Sequence, residues 1–487
     1  MSKFRSLESY QRKHSGQYQL LPFRFEALDE QSVVATNAVG ELAFLSRKQL
    51  ENLVAHRLSP TDPDYSMLRS RHFLREDGDE ASLELLALKT RTKFSKLRNF
   101  TNLHIFVASL RCDHSCQYCQ VSRQSENKAA FDMTFETADK ALDLVFRSPN
   151  PAIKIEFQGG EPLLNFELIR YVVQKAEQRN KGESRDLQFV ITTTLSLATD
   201  EILEFCRDHK IFLSSSLDGP PDLHNKNRPR PGRDSHERFV SGLKRARDIV
   251  GYDSVSALMT TAPTSLTRVR DIIDEYLKHG FDGIFLRHLS PYGFALKTKS
   301  FQAYNTDRWL EFYKGGMEYI LELNKAGTPF TEYYSTLLLT KMMSAEDPGF
   351  VDLMNPAGAG IAAVVFNYDG DVYASDESRM LREMGDTTFR LGNVHQNSYE
   401  EIFTSDALLT ALEDSFTSSA PMCSDCAFEP WCGADPVFHH GMYGDVLGRK
   451  PESDFCKRVM GITKYLLEKM RKDDEAKEIF MRWVNRC

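Results

Sequence analysis

At 487 residues the chain is long enough for roughly three domains. Its 61 basic and 69 acidic residues leave a net charge of −8, which excludes the basic footprint of a non-specific nucleic-acid binder. Residues 1–16 are polar with no apolar signal-peptide core, and the longest apolar runs, such as 361–366, are far too short to cross a bilayer. A cytoplasmic protein with no nucleic-acid or membrane partner is therefore expected.

Residues 17–75 read as a small α+β unit. Short strands are expected at 18–25, 32–36 and 41–45, with a turn at 37–40. Ser46-Arg47-Lys48-Gln49 fits a capping box opening a helix to about residue 57, and a second helix starts after Asp62-Pro63. Residues 76–99 are charged and read as a linker. From residue 101 the pattern alternates. Strands are expected at 103–109, 153–157, 187–192, 212–216, 255–260 and 283–289. Helices are expected at 135–146, 166–179, 199–209, 236–249 and 266–279, with a sixth at 307–324. Six such units imply parallel strands joined by right-handed crossovers, an open barrel whose sites lie at the C-terminal strand ends.

Nine cysteines stand at Cys112, Cys116, Cys119, Cys206, Cys423, Cys426, Cys432, Cys456 and Cys487. An odd count in a long chain without a secretion signal argues against disulfides, and seven of the nine fall in two groups, which argues for metal. Cys206 is expected as a buried helix residue; Cys487 has no evident partner. The first group follows the first barrel strand as Cys112-Asp113-His114-Ser115-Cys116-Gln117-Tyr118-Cys119. Three thiolates hold three irons of a [4Fe–4S] cluster and leave the fourth open, and an open position marks a reactive centre. A zinc site completed by His114 or a distant residue uses the same cysteines.

Other strand ends carry matching residues. The second ends in Gln158-Gly159-Gly160-Glu161-Pro162, the third in Thr192-Thr193-Thr194, the fourth in Ser216-Leu217-Asp218-Gly219-Pro220 with His224 and Arg228 beyond. Singly, each reads as turn or capping work. As an ordered set they resemble the radical S-adenosylmethionine (SAM) enzymes. The resemblance implies that the open iron chelates SAM and reduces it to a 5′-deoxyadenosyl radical. It further implies that Gly159, Gly160 and Glu161 hold the SAM amino group and that Ser216 contacts SAM. Tyr118 would lie near the adenine. Thr193 stands where relatives read Thr-Asn-Gly, so its hydroxyl would take over that contact.

The second group, Cys423-x2-Cys426-x5-Cys432 and then Cys456, resembles the SPASM domain of radical SAM enzymes that modify peptides. That domain usually holds two auxiliary clusters. Here the hairpin 366–376 has Ser375 at its cysteine position, residues 355–363 contain no cysteine, and the last cysteine of the C-x3-C step from Cys432 falls on Pro436. One auxiliary [4Fe–4S] cluster on Cys423, Cys426, Cys432 and Cys456 is expected, with a zinc ribbon as the alternative. Asp376 fits the slot of a proton-accepting Asp in the sulfatase-maturing branch; equally, it fits a hairpin-end Asp bonded to backbone amides.

The fold class expected is α/β: a partial (β/α)6 radical SAM barrel (100–325), a small α+β N-terminal unit and linker (1–99), a bridging region and reduced SPASM-like iron–sulfur domain (326–456), and a C-terminal helix (457–487) with one solvated face. The three-strand order of the N-terminal unit resembles the precursor-peptide recognition element, which binds a leader by strand addition; a structural cap has the same order. The whole chain resembles the radical SAM maturases of His-Xaa-Ser repeat peptides. The resemblance implies a ribosomal precursor peptide as substrate, an external one-electron donor of flavodoxin or ferredoxin type, and a cross-link or oxidised residue as product. Sulfatase maturation, a non-catalytic peptide-binding partner with structural metal, and an electron carrier are the alternatives.

Overall fold

The computed structural model describes residues 18–125 and 127–485; the polar stretch 1–16 and Cys487 lie outside them. At the centre is an eight-stranded sheet in the order Val255–Leu258, Ile211–Ser216, Asp186–Thr192, Ala152–Gly159, Leu103–Ser109, Ala363–Phe366, Asp371–Tyr373, Arg390–Asn393. The first six strands run parallel; the last two are added antiparallel. Leu103–Ser109 is buried almost throughout, as a parallel strand covered on both faces must be. The crossover helices follow from apolar residues at helical spacing. Phe166–Glu183, for example, buries Leu168, Ile169, Val172, Val173 and Ala176 against the sheet and leaves its charged face outside.

Five of the six expected barrel strands join this sheet. The sixth does not. It shortens to Gly283–Ile284 and pairs with Thr331–Glu332 in a separate two-stranded sheet. The reason is local: the next ladder donor, Leu286 N–H, goes to the buried Glu332 carboxylate (3.1 Å), which also accepts from Tyr313 OH (2.5 Å). One backbone bond, Thr261 N–H to Arg287 O (2.9 Å), keeps the following segment beside the barrel mouth. The sixth parallel position is filled at the other edge, by Ala363–Phe366.

The N-terminal unit keeps its strand–helix order, but the first expected strand splits into Tyr18–Leu20, paired with Leu74–Glu76, and Phe23–Ala27, an edge of the sheet containing Ser32–Asn37 and Leu42–Ser46. Val33, Leu45, Tyr65 and Phe73 form a core of its own, while Val34 and Leu42 face the main core. The expected linker is largely a helix, Glu80–Lys93, started by Asp79 accepting Ser82 N–H (3.2 Å); its charge run had masked it. The C-terminal helix is two, Asp454–Lys472 and Asp474–Asn485. Asp473 breaks the run and accepts Ala476 N–H (3.0 Å) to begin the second. Both pack on Tyr333–Met343 and Thr306–Lys325. Among the described residues, no helix is long and apolar enough to cross a membrane.

Candidate active site

The cysteine loop leaves the C-terminal end of Leu103–Ser109 and is held by backbone. Gly160 N–H donates to Ser109 O (2.8 Å) and Glu161 N–H to Arg111 O (2.7 Å). A Cβ at position 159 would stand 1.9 Å from Ser109 O, and one at position 160 would stand 2.2 Å from Arg111 O, so only glycine fits either. Further along, Ser115 N–H donates to Pro229 O (2.7 Å) and Phe294 N–H to Cys119 O (2.8 Å). Cys112, Cys116, Cys119, Tyr118, Gly159, Gly160, Thr193 and Ser216 all line one cavity of about 490 Å³.

Glu161 does not line it. Its buried carboxylate accepts from Leu163 N–H (3.1 Å), Thr193 Oγ1 (2.7 Å), Thr194 N–H (2.8 Å) and Thr194 Oγ1 (2.8 Å). The threonines that depart from the usual pattern thus brace Glu161, and burial pushes its pKa up against those bonds. Tyr118 OH donates to the buried Asp218 (2.5 Å), whose other oxygen is 3.2 Å from Arg228 Nε. The Arg228 guanidinium sits 5.5 Å from the Tyr118 ring centroid. His224 Nδ1 accepts Asp218 N–H (3.3 Å), and burial pushes its pKa far down, leaving a neutral ring. Burial also drives the Cys112 thiol well up and Cys116 to about 12, so loading a metal there displaces thiol protons.

The hairpin after Ala363–Phe366 brings Asp376 to the same cavity. Asp376 opens the helix Asp376–Arg382, capped by Ser375, whose Oγ accepts Ser378 N–H (3.2 Å). Backbone amides do not hold Asp376. Its Oδ1 accepts from Arg379 Nη2 (2.8 Å), and the fully buried Arg379 also reaches Val121 O (3.2 Å), just past the cysteine loop. Pro436 opens a second helix, Pro436–Tyr443, capped by Asp435 accepting Phe438 N–H (3.0 Å). The two helices pack together. Both positions that lack cysteine are therefore helix starts.

Cys423, Cys426 and Cys432 sit in tight turns, with Cys426 N–H on Cys423 O (3.1 Å) and Cys432 N–H on Glu429 O (3.2 Å). Cys456 lies in the first turn of Asp454–Lys472. Burial foremost, then the charges of Cys456, Cys426 and Cys423, pushes the Cys432 thiol up, so the four form one group. Among the described residues, the ligand sets whose atoms all fall within 4.8 Å are Cys112–Asp113–His114 and His236–Glu275–His279.

Residues 106–274 match the Radical SAM superfamily, and residues 359–427 match the SPASM iron-sulfur cluster-binding domain. The chain is a radical SAM enzyme with a SPASM domain. Native anSMEcpe with bound AdoMet shares its fold at 18% identity, covering 78% of this chain and 100% of that one (TM-score 0.64). The same protein with AdoMet and the Cp18Cys peptide matches at 18% over 78% and 99% (0.64). Streptococcus suis SuiB bound to precursor peptide SuiA matches at 13% over 86% and 95% (0.51). A radical SAM [4Fe–4S] cluster, SAM and an auxiliary cluster are the enzyme's cofactors. The donor sets fit: three cavity-facing thiols can take an open cluster, and four grouped thiols a closed one.

One part of this radical SAM enzyme's cavity is not legible in the sequence. Asp352, Glu377 and Asp435 line it, and enclosure foremost, then the charge of neighbouring carboxylates, pushes each to about 7. Glu377 stands beside Asp376 and Asp435 beside Pro436, but Asp352 is near no motif. Asp352→Asn should raise thermal stability at pH 8, where the wild-type carboxylate is charged when folded. Its raised pKa means the gain should fade as pH drops through 7 towards 4, a trend that melting curves across pH would read. Gly160→Ala should cost about 1–3 kcal/mol and lower bound iron per chain, because the cysteine loop must move away from the new Cβ.

Proposed function

We propose that this enzyme modifies a ribosomally made precursor peptide by hydrogen abstraction, leaving a cross-link or an oxidised residue. One observation carries the reading: the three loop thiols and the SPASM residue Asp376 open onto the same cavity. The anSMEcpe complex with Cp18Cys and the SuiB complex with SuiA, both of this fold and both with a peptide bound, support it. When bound, the open cluster and SAM supply the hydrogen-abstracting radical.

The chain's own groups do the rest. Cys112, Cys116 and Cys119 hold the radical SAM cluster, and Cys423, Cys426, Cys432 and Cys456 hold a single auxiliary cluster. Gly159, Gly160, Thr193, Ser216 and Tyr118 shape the wall against which SAM lies, and Glu161 braces that wall from behind. Asp376, oriented by Arg379, takes the proton that leaves the substrate. The enclosing walls keep water from the radical. An external flavodoxin- or ferredoxin-type protein delivers the electron. The N-terminal sheet, with Phe23–Ala27 and Leu42–Ser46 at its edges, receives the leader. The resemblance to His-Xaa-Ser maturases supports a repeat-bearing substrate. A sulfatase-type substrate is the second reading, favoured by the position of Asp376; conversion of a Cys or Ser in a sulfatase peptide to formylglycine decides for it.

Anaerobically reconstituted protein should bind roughly eight irons, two four-iron clusters. With SAM and dithionite it should release 5′-deoxyadenosine, and Cys119→Ala should abolish that release. Cluster-replete protein that releases none would sink the reading. Asp376→Asn should still release 5′-deoxyadenosine while losing most modified peptide, read by mass spectrometry of a peptide encoded beside this gene and co-expressed with it. Full modification by that variant would remove Asp376 as the base.

A further inference from the structure

The cavity wall on the SPASM side holds more negative charge than the chain neutralises. Asp352, Glu377 and Asp435 come from three separate segments and meet there. Two arginines face them, and Lys450 adds its charge at Asp435. Arg287 Nη2 is 3.8 Å from Glu377 Oε1, beyond hydrogen-bond reach, and Arg458 lies over the Phe438 and Phe455 rings. Asp376 is already matched by Arg379. Among the described residues no donor hydrogen-bonds the Asp352 carboxylate, and all three acids remain pushed to about 7 despite both arginines. Among the described residues no Lys, Arg or His side chain hydrogen-bonds any of the three acids.

A second, independent feature marks the same spot. Tyr292 is 1% exposed, lines the cavity, and its hydroxyl has no hydrogen-bond partner. It lines the same cavity as Asp435, Glu377 and Asp352, and after burial their charges, opposed by Arg458, push its pKa up. A buried hydroxyl without a partner costs stability unless a ligand completes it. Enclosed carboxylates that repel one another call for a cation whose N–H can also donate to the phenol oxygen.

We propose that Asp352, Glu377, Asp435 and Tyr292 form a pocket for a basic side chain of the substrate peptide, a Lys ammonium, Arg guanidinium or His imidazolium. The proposal rests on the peptide-modifying reading above. In the free enzyme the pocket stays partly protonated; a bound cation lets the carboxylates ionise and fixes the peptide beside Asp376. The acids would then select which residue of the peptide reaches the radical.

The test is a display library of random peptides incubated with holoenzyme, SAM and dithionite, with modified peptides recovered and sequenced. Recovered peptides should carry Lys, Arg or His at one fixed offset from the modified residue, enriched about tenfold over the input. Asp352→Asn/Glu377→Gln protein, checked for full iron content, should lose that enrichment. Modified peptides with no basic preference would overturn the pocket and leave the peptide reading standing. Failure to modify any peptide would overturn both. A double variant that keeps the preference but binds SAM more weakly would assign the acids to the SAM sulfonium or ammonium instead, and would also overturn the proposal.

Discussion

Everything at this site depends on one backbone contact: the Gly159-Gly160 turn pressed against Ser109 and Arg111. An eight-residue loop with three metal-binding thiols has no regular structure to aim them. Here the aim comes from its root. Arg111 accepts Glu161 N–H through its carbonyl and clamps Asp132 with two 2.7 Å bonds through its guanidinium. Glu161 then ties the second strand end to Thr193 and Thr194 on the third. Three adjacent strand ends are thereby stapled together behind the thiols. The glycines are required less by a ligand than by the loop that the ligand needs.

The SPASM region extends this frame. Ala363–Phe366 pairs in parallel with Leu103–Ser109, the strand that delivers the cysteines, with Val365 opposite Ile105. Ten residues further on lies Asp376, and its partner Arg379 binds Val121 O at the far end of the cysteine loop. The radical-generating loop is held at its root by the second barrel strand and at its exit by the SPASM helix. Replacing Cys by Ser at position 375 and by Pro at 436 makes physical sense in this setting. Ser is a preferred N-cap and Pro a preferred first helical residue. The two helices they start pack against each other, so non-covalent packing holds these positions where cysteines would hold metal.

The sequence made the barrel legible because parallel strands and amphipathic crossovers each leave a period, and the cysteine spacing leaves a signature. Leu103–Ser109 begins and ends where the pattern placed it. What stayed hidden was set by side chains distant in sequence. The strand expected at 283–289 is cut short by Glu332, some fifty residues on, and no local period reports that. The helix Glu80–Lys93 was obscured because charged residues make a good exposed helix as readily as a linker. At the site, motif residues were readable, but the role of Glu161 was not, since the threonines holding it depart from the familiar pattern. Asp352 carries no motif, Asp435 is an unassigned spacer in the cysteine block, and the two meet only when the fold closes.

The N-terminal unit has a core of its own, yet its other face is joined to the auxiliary cysteines. Arg24 donates to Glu429 (3.0 Å), and Glu429 also accepts from Asn355 (3.0 Å), Thr417 (2.8 Å) and Ser418 (2.7 Å). Thr36 donates to Ala427 O (2.6 Å), between Cys426 and Cys432. Gly40, at φ +89°, accepts from Trp431 Nε1 (3.0 Å) and leaves no room there for a Cβ. Trp431 directly precedes Cys432. A turn that reads in sequence as a plain hairpin connection is thus one side of the wall behind the cluster thiols. Because Glu429 is buried and bonded by four residues from three segments, the sheet cannot shift without disturbing the turn that carries Cys432. The N-terminal sheet and the turn that carries Cys432 are physically joined through that carboxylate.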